Sequence, residues 1–401
     1  PPPRLPHLQQ SCASPHSDCC PMALPFLYSI SLLLHGYIGW RLLPALAGFS
    51  AVGVAAVLVL SALLMPLGLV ARRVVRPPLA DTLAWMGLLC MGLFSSLFVL
   101  TVLRDVVLLA FALAHTLGAT WTQQVLPALR VDSAVAVLLL GLLATVLGFW
   151  NARRTAQVVR VDVPITNLPA ALHGFTVAQI TDIHVGPTIK TRYLQAIVRR
   201  VNTLDADMVA ITGDLVDGSV ADLGAHVAPL STLSSRHGSY FVTGNHEYYS
   251  GAHAWITELR RLGVQVLMNE HVVLQQGGAS LVLAGVADFH ADRFDKNHRS
   301  DPHAALAGAP LDAGVRVLLA HQPRSAFEAA KAGFDVQLSG HTHGGQFWPW
   351  NLFVPMQQPF TAGLRRLQDL WVYTSRGTGY WGPPKRFGAP SEITLLRLIT
   401  A

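Results

Sequence analysis

The sequence has 401 residues, a net charge of +6, and 51% hydrophobic but only 13% charged side chains. Ordinary soluble proteins have about 25% charged residues, so this composition excludes a wholly soluble chain and indicates that part of it lies in lipid. Much of the positive charge comes from arginines beside apolar segments, such as Arg72, Arg73 and Arg153. Such placement favours a membrane-topology signal over a nucleic-acid site, and we expect no nucleic-acid partner.

Residues 1–21 precede the first apolar run, which begins directly after Met22. They contain Cys12 and Cys19, and Cys20 completes a Cys-Cys pair that could bind a metal or carry a lipid. Lone motifs of this kind are weak signals, and we expect a disordered tail or a non-native leader here.

Residues 22–154 are predicted to form a transmembrane region of about four helices. A helix that crosses the hydrocarbon core needs about 20 mostly apolar residues. Four runs approach this length: Ala23–Trp40, Leu46–Val70, Thr82–Leu103 and Ala134–Trp150. A fifth run, Val106–Leu117, could be interfacial, re-entrant or the remainder of a tilted helix.

The arginines that flank these runs predict the orientation of the chain. With four spans, the cluster around Arg72 lies on the same side as the cluster around Arg153, and the positive-inside rule makes that side the cytoplasm. This predicts an integral, multi-pass membrane protein whose C-terminal domain is cytoplasmic. If the fifth run also spans, the two clusters fall on opposite sides.

Residues 155–401 have the alternation of short apolar runs and amphipathic stretches that is typical of an α/β domain. The predicted strands are Phe175–Ile180, Met208–Ile211, Ser239–Val242, Leu281–Ala284, Val315–Ala320, Val336–Leu338 and Trp371–Thr374. The predicted helices are Arg192–Leu204, His253–Leu262 and Ser325–Ala332.

Five of these strands are followed by residue types that bind metals. The candidates are Asp182, His184, Asp214, Asn245, His246, His321, His341 and His343. Because strand ends in a sheet collect residues from distant sequence positions into one crevice, we expect these side chains to lie together. Mixed carboxylate, imidazole and amide ligands suit Mn²⁺, Fe or Zn²⁺ better than Ca²⁺.

This order of motifs, ending in Gly-His-Thr-His-Gly-Gly-Gln at 340–346, resembles the calcineurin-like metallophosphoesterase superfamily, in its membrane-linked branch. The resemblance covers about Val158–Leu398 and implies a two-sheet β-sandwich flanked by helices. It also implies two divalent metal ions. One would be held by Asp182, His184 and His343, the other by Asn245, His321 and His341, with Asp214 as the bridge and His246 at the phosphate or the leaving group.

The function predicted from these motifs is a membrane-anchored, metal-dependent phosphoesterase. A hydroxide shared by the two metals, of which manganese is one option, would attack phosphorus, and His246 would assist the leaving group. A phosphodiester substrate is favoured because a membrane offers many diesters. The alternative is a non-catalytic metal-binding scaffold or a sensor domain tethered to the membrane.

Two loops near the C-terminal motifs are unusually aromatic and basic. Trp348 and Trp350 follow the last histidines directly, and Trp381 and Arg386 belong to a second such loop. Since Trp with nearby Lys and Arg favours the membrane interface, we expect a substrate rim that admits a phospholipid or a lipid-linked pyrophosphate. A lid or a satellite core is the alternative.

Overall fold

The computed structural model describes residues 20–401, so the predicted N-terminal tail lies outside the described residues except for its last two positions. Four long helices come first. They are α1 (Cys20–Leu42), α2 (Gly48–Val74), α3 (Leu79–Thr116) and α4 (Thr122–Arg153). Within the described residues, α2, α3 and α4 are long and apolar enough to cross a membrane. The predicted count of four spans and the cytoplasmic orientation stay predictions.

The third and fifth apolar runs are one continuous helix. Helix α3 has 38 residues and is about 57 Å long at 1.5 Å per residue, which exceeds a hydrocarbon core of about 30 Å. The Arg104-Asp105 pair does not interrupt it, because Asp105 accepts from Arg41 at 2.8 Å and Arg104 donates to the Ser133 hydroxyl at 2.9 Å. Val106–Leu117 is therefore the continuation of a helix and not a re-entrant segment.

The chain divides into two compact units, which are described separately. One contains residues 20–90 together with Thr101–Val135. The other contains Met91–Leu100 and Ala136–Ala401, and both β-sheets belong to it.

The second unit is a sandwich of two six-stranded sheets. The first sheet has the order β1-β12-β2-β3-β4-β5 and the second the order β10-β11-β9-β8-β7-β6. The strands are β1 (Gln157–Ile165), β2 (Thr176–Ile180), β3 (Met208–Ile211), β4 (Ser239–Phe241), β5 (Gln265–Val266), β6 (Glu270–Gln276), β7 (Ala279–Gly285), β8 (Val315–Leu319), β9 (Val336–Ser339), β10 (Gly363–Leu367), β11 (Leu370–Thr374) and β12 (Glu392–Thr400). The helices are α5 (Thr191–Asn202), α6 (Val220–Val227), α7 (Asn245–Ser250), α8 (Ala252–Arg261), α9 (Pro302–Ala305) and α10 (Ala326–Ala332).

The predicted two-sheet α/β fold is confirmed, and each predicted strand corresponds to an observed one. The apolar runs did not predict every strand, and β1, β6 and β10 are among those that they missed. These lie at sheet edges, where half-exposed side chains dilute the apolar pattern.

The sandwich core brings the site-bearing strand ends together. Val177, Met208, Leu281 and Val317 face each other from the two sheets and are almost fully buried. Strands β2, β3 and β4 run parallel in one sheet, and β7, β8 and β9 run parallel in the other. Because parallel strands place their carboxyl ends at one edge, the loops that follow them form one crevice.

Candidate metal centre

The backbone at the predicted site residues is unusual. Asp182, His184, Asp214, His341 and His343 all have positive φ, between 51° and 70°. Residues other than glycine adopt this left-handed region infrequently, and such strained positions cluster at functional sites. The sandwich therefore holds these five side chains in an orientation that free loops would disfavour.

Three of the predicted ligands form a buried group after β2 and β9. The ligand atoms of Asp182, His184 and His343 lie within 4.8 Å of one another. The Nε2 atoms of His184 and His343 are 3.1 Å apart, and His343 Nε2 is 3.5 Å from Asp182 Oδ1. This group has the donors and the spacing to surround one cation.

A second group forms after β3, β8 and β9. Asp214, His321 and His341 also place their ligand atoms within 4.8 Å of one another. Asp214 Oδ2 lies 3.1 Å from His321 Nε2 and 3.9 Å from His184 Nε2, a member of the first group. The Asp214 carboxylate thus lies between the two groups.

Hydrogen bonds on the far side of two imidazoles fix which nitrogen faces the site. His321 Nδ1 lies 2.8 Å from the Thr212 carbonyl, which can only accept, so Nδ1 carries the proton. His184 Nδ1 lies 3.0 Å from the Asp217 carboxylate, which also accepts, so this Nδ1 carries the proton as well. Both Nε2 atoms then present lone pairs to the centre, which is the arrangement of a metal-binding histidine.

Asn245 supplies an unpaired buried oxygen. Its Oδ1 has no hydrogen-bond partner among the described residues. An unsatisfied buried acceptor costs about 1–3 kcal/mol, and an amide oxygen is a suitable ligand for a divalent cation. The donor set therefore fits metal binding better than a purely structural polar cluster.

The charges of the centre favour a cation between its groups. Burial opposes protonation of His321, but the adjacent Asp214 outweighs burial and raises the pKa of His321 to about 10. Burial and the neighbouring His321 lower the pKa of His341 to about 3. Burial and Arg386 hold the pKa of His343 well below its usual range. Without a metal ion, a proton on His321 Nε2 neutralises the Asp214 carboxylate, and a bound cation would replace that proton and free the Nε2 lone pair. His341 and His343 stay neutral, as histidine ligands must.

Residues 175–345 match the family model of the calcineurin-like phosphoesterases. An uncharacterised metallophosphoesterase from Campylobacter jejuni is 33% identical over 324 residues, which cover 80% of this chain and 83% of the relative. The chain belongs to the calcineurin-like phosphoesterase family. It combines a calcineurin-like phosphoesterase domain with helices that are long and apolar enough to cross a membrane.

Two vertebrate relatives are named as transmembrane proteins. A transmembrane protein with metallophosphoesterase domain from Bos taurus is 41% identical over 284 residues, covering 68% of this chain and 64% of the relative. A relative of the same name from Danio rerio is 38% identical over 271 residues, which cover 66% of this chain and 62% of the relative. The match therefore spans less than two thirds of the length of either vertebrate relative.

Two acidic side chains outside the predicted ligand set position the candidate metal centre. Asp217 Oδ1 lies 3.0 Å from His184 Nδ1 and 2.6 Å from His246 Nδ1, so one carboxylate orients both rings. Glu247 is fully buried and accepts from the backbone N–H groups of Asp214, Leu215, Val216 and Gly244 at 2.7–3.3 Å. It ties the loop after β3 to the loop after β4.

Two glycines allow the carboxylates to approach the backbone. A Cβ on Gly244 would overlap the Asp214 carboxylate, and a Cβ on Gly340 would overlap Asp182 and Thr181. Any side chain at these positions would displace a predicted ligand. This is the physical reason for glycine directly before Asn245 and before His341.

His246 lies beside the centre with aromatic neighbours. Its Nε2 is 3.9 Å from Asp214 Oδ2, and its ring is 5.6 Å from Trp381 and 5.3 Å from Tyr249 between centroids. Although burial opposes protonation, Asp214 and Asp217 raise the pKa of His246 to about 9. Tyr249 was missed in the sequence, although its i+3 spacing from His246 on α7 places both on one helix face.

The predicted substrate rim is only partly at the surface. Trp348, Trp350 and Trp381 are exposed, by 42–54%. Arg386 is not at the rim: its side chain is fully buried and donates to the carbonyls of Gly379, His343 and Arg376. A guanidinium has five donors, and here they brace the loop that carries His343 instead of meeting substrate.

Proposed function

We propose that residues 155–401 form a domain that hydrolyses phosphodiesters at a pair of divalent metal ions. The observation that carries this proposal is the position of Asp214, whose Oδ2 lies within 3.9 Å of nitrogens from both ligand groups. The proposed ligands are Asp182, His184, Asp214, Asn245, His321, His341 and His343. Mn²⁺, Fe and Zn²⁺ are all compatible with this donor set.

The residues around the metals would complete the chemistry. Two divalent ions in such a site supply Lewis-acid activation of water and neutralise the charge of the phosphate. Asp217 holds Nδ1 of His246 and so directs Nε2 toward the centre. We infer that Nε2 carries the proton that passes to the leaving oxygen. Trp381 and Tyr249 contact this imidazole edge-on from outside the centre.

The substrate that we favour is a phosphodiester or pyrophosphate attached to a lipid. The rim is joined to the segment of α3 that belongs to the same unit, because Trp350 Nε1 donates to Ser95 Oγ at 3.1 Å. Beside the rim, the backbone N–H of Arg386 donates to the Gly148 carbonyl of α4 at 2.8 Å. Both helices are candidate membrane spans. A phosphoester whose organic group remains in the bilayer would meet this aromatic rim directly.

The metal-dependent reaction is tested with the full chain in detergent. With Mn²⁺ we expect hydrolysis of bis(p-nitrophenyl) phosphate to exceed that of p-nitrophenyl phosphate. Asp214→Asn should abolish turnover, because it removes the charge shared by both ligand groups. The matched control is Asp312→Asn at an exposed aspartate, which should leave the rate unchanged.

A chain that binds metal stoichiometrically yet hydrolyses neither ester would contradict the diesterase proposal for generic substrates. If lipid-linked esters were also left intact, the non-catalytic scaffold would be the better account. A greater rate with the monoester would contradict the preference for diesters but not the metal-dependent hydrolysis.

The lipid preference is tested by reconstituting the chain into vesicles that contain a candidate lipid pyrophosphate. Trp348→Ala should raise KM for the lipid substrate while leaving hydrolysis of the soluble diester unchanged. Phe327→Ala, at a similarly exposed aromatic on α10, serves as the control. Equal effects of the two variants on the lipid substrate would refute a rim role for Trp348.

A further inference from the structure

A separate cavity lies in the unit formed by residues 20–90 and Thr101–Val135. It has a volume of about 630 Å³ and is bounded by the end of α1, the later part of α3 and the start of α4. Arg41, Arg104, Arg130 and Asp105 form its polar wall. Three guanidinium groups against one carboxylate give this wall two net positive charges.

The arginines of this wall have different roles. Arg104 is buried and donates to the Ser133 hydroxyl and the carbonyls of Arg41 and Arg130, at 2.8–3.2 Å, so its contacts are structural. Arg41 meets Asp105 through Nε, at 2.8 and 2.9 Å. The exposed guanidinium of Arg130 has no ion-pair partner within residues 24–401. Arg130 is therefore the cation best able to meet a ligand.

Membrane topology does not account for this cluster. Arg72 and Arg73 lie in the last turn of α2, whereas Arg41 is joined to the start of α2 by a short connection. The two basic clusters thus mark opposite ends of one candidate span, and the positive-inside rule can explain only one of them. Charged side chains within apolar helices are costly and commonly mark a functional site.

The rest of the cavity wall is apolar. Leu108, Leu109, Leu126 and Val131 line it beside the arginines. A guanidinium binds a phosphate through paired, charge-assisted hydrogen bonds, and aliphatic side chains suit an acyl chain. A ligand that complements both walls has a negatively charged phosphate at one end and hydrocarbon at the other, as an anionic membrane lipid does.

We propose that this cavity binds the phosphate headgroup of an anionic membrane phospholipid, with Arg130 and Arg41 as its cationic contacts. The site is distinct from the metal centre, and its occupation does not require that the phosphoesterase hydrolyse the bound lipid. A zwitterionic lipid would bind less well, because its ammonium group adds a positive charge to a wall that is already positive.

The test is native mass spectrometry of the full chain in detergent with equal amounts of phosphatidylglycerol and phosphatidylcholine of identical acyl chains. We expect one phosphatidylglycerol per chain to be retained, in preference to phosphatidylcholine. Arg130→Ala should reduce its retention about tenfold, the order of loss for one charge-assisted contact. Arg73→Ala, which removes the same charge at the other end of α2, should not reduce it.

Asp105→Asn provides a test of opposite sign that does not depend on truncating an arginine. It removes the one carboxylate that the described residues contribute to the wall and should increase the retention of phosphatidylglycerol. Equal retention of the two lipids, or no effect of either cavity variant in a chain that melts normally, would overturn the proposal. Displacement of the lipid by excess inorganic phosphate would also overturn it, because the site would then recognise free phosphate.

Discussion

Replacing Glu247 by Gln tests whether the metal centre is assembled by backbone hydrogen bonds. Glu247 Oε2 accepts from the N–H groups of Asp214 and Gly244, and Oε1 accepts from those of Leu215 and Val216. An amide retains only one of these oxygens. Whichever way the Gln side chain turns, its NH₂ group faces two backbone donors that have lost their acceptor.

The expected loss of stability follows from these two donors. Each buried N–H without an acceptor costs about 1–3 kcal/mol, so the free energy of unfolding should fall by roughly 2–6 kcal/mol. For a domain of this size, about 1 kcal/mol corresponds to about 2–4 °C, which predicts a melting temperature lower by roughly 4–24 °C. The loops that carry Asp214 and Asn245 would separate, so metal retention should fall as well.

The assay follows intrinsic tryptophan fluorescence on heating in detergent, with metal content measured on the same samples. Glu328→Gln is the matched control, because that glutamate is exposed and pairs with Lys331 at the surface. An exposed ion pair is screened by solvent and contributes little to stability, so the control should melt close to the wild type. A Glu247→Gln chain that melts with the control and keeps its metal would refute the reasoning.

Three further substitutions test other parts of the centre. Arg386→Lys should lower the free energy of unfolding by about 2–4 kcal/mol, because a lysine cannot reach most of the carbonyls that accept from the buried guanidinium. Thermal melting checks this against Arg365→Lys at an exposed arginine, and equal melting temperatures would contradict it. Gly340→Ala should abolish turnover and metal binding because its Cβ meets the adjacent carboxylate, whereas Gly53→Ala, with open space around it, should retain both. Asp217→Asn should reduce kcat/KM about 10–100-fold with little change in melting, as expected when a group that orients ligands is lost; an unchanged kcat/KM would show that the two histidines are held by other contacts.

The sequence predicted the strands that carry the site because their apolar runs are continuous. Strands β3 and β8, for example, are buried along almost their whole length. The continuous apolar runs at Met208–Ile211 and from Val315 onward therefore predict them directly. The edge strands β6 and β10 were not predicted, since their residues alternate irregularly between solvent and core. Their pairing depends on neighbours that are distant in the chain.

Residue chemistry and order in the sequence determined the composition of the candidate centre: which carboxylates, imidazoles and amide follow which strands. Only the tertiary structure decided how they meet. Asp214 lies between two ligand groups because β3 is central in its sheet, and one carboxylate of Asp217 reaches two rings from different loops. Arg386 resembles a surface cation in the sequence but is buried, because the carbonyls that satisfy it converge only when the loops fold together. Local sequence specifies side-chain chemistry and strand period, whereas burial and partners depend on contacts between residues far apart in the chain.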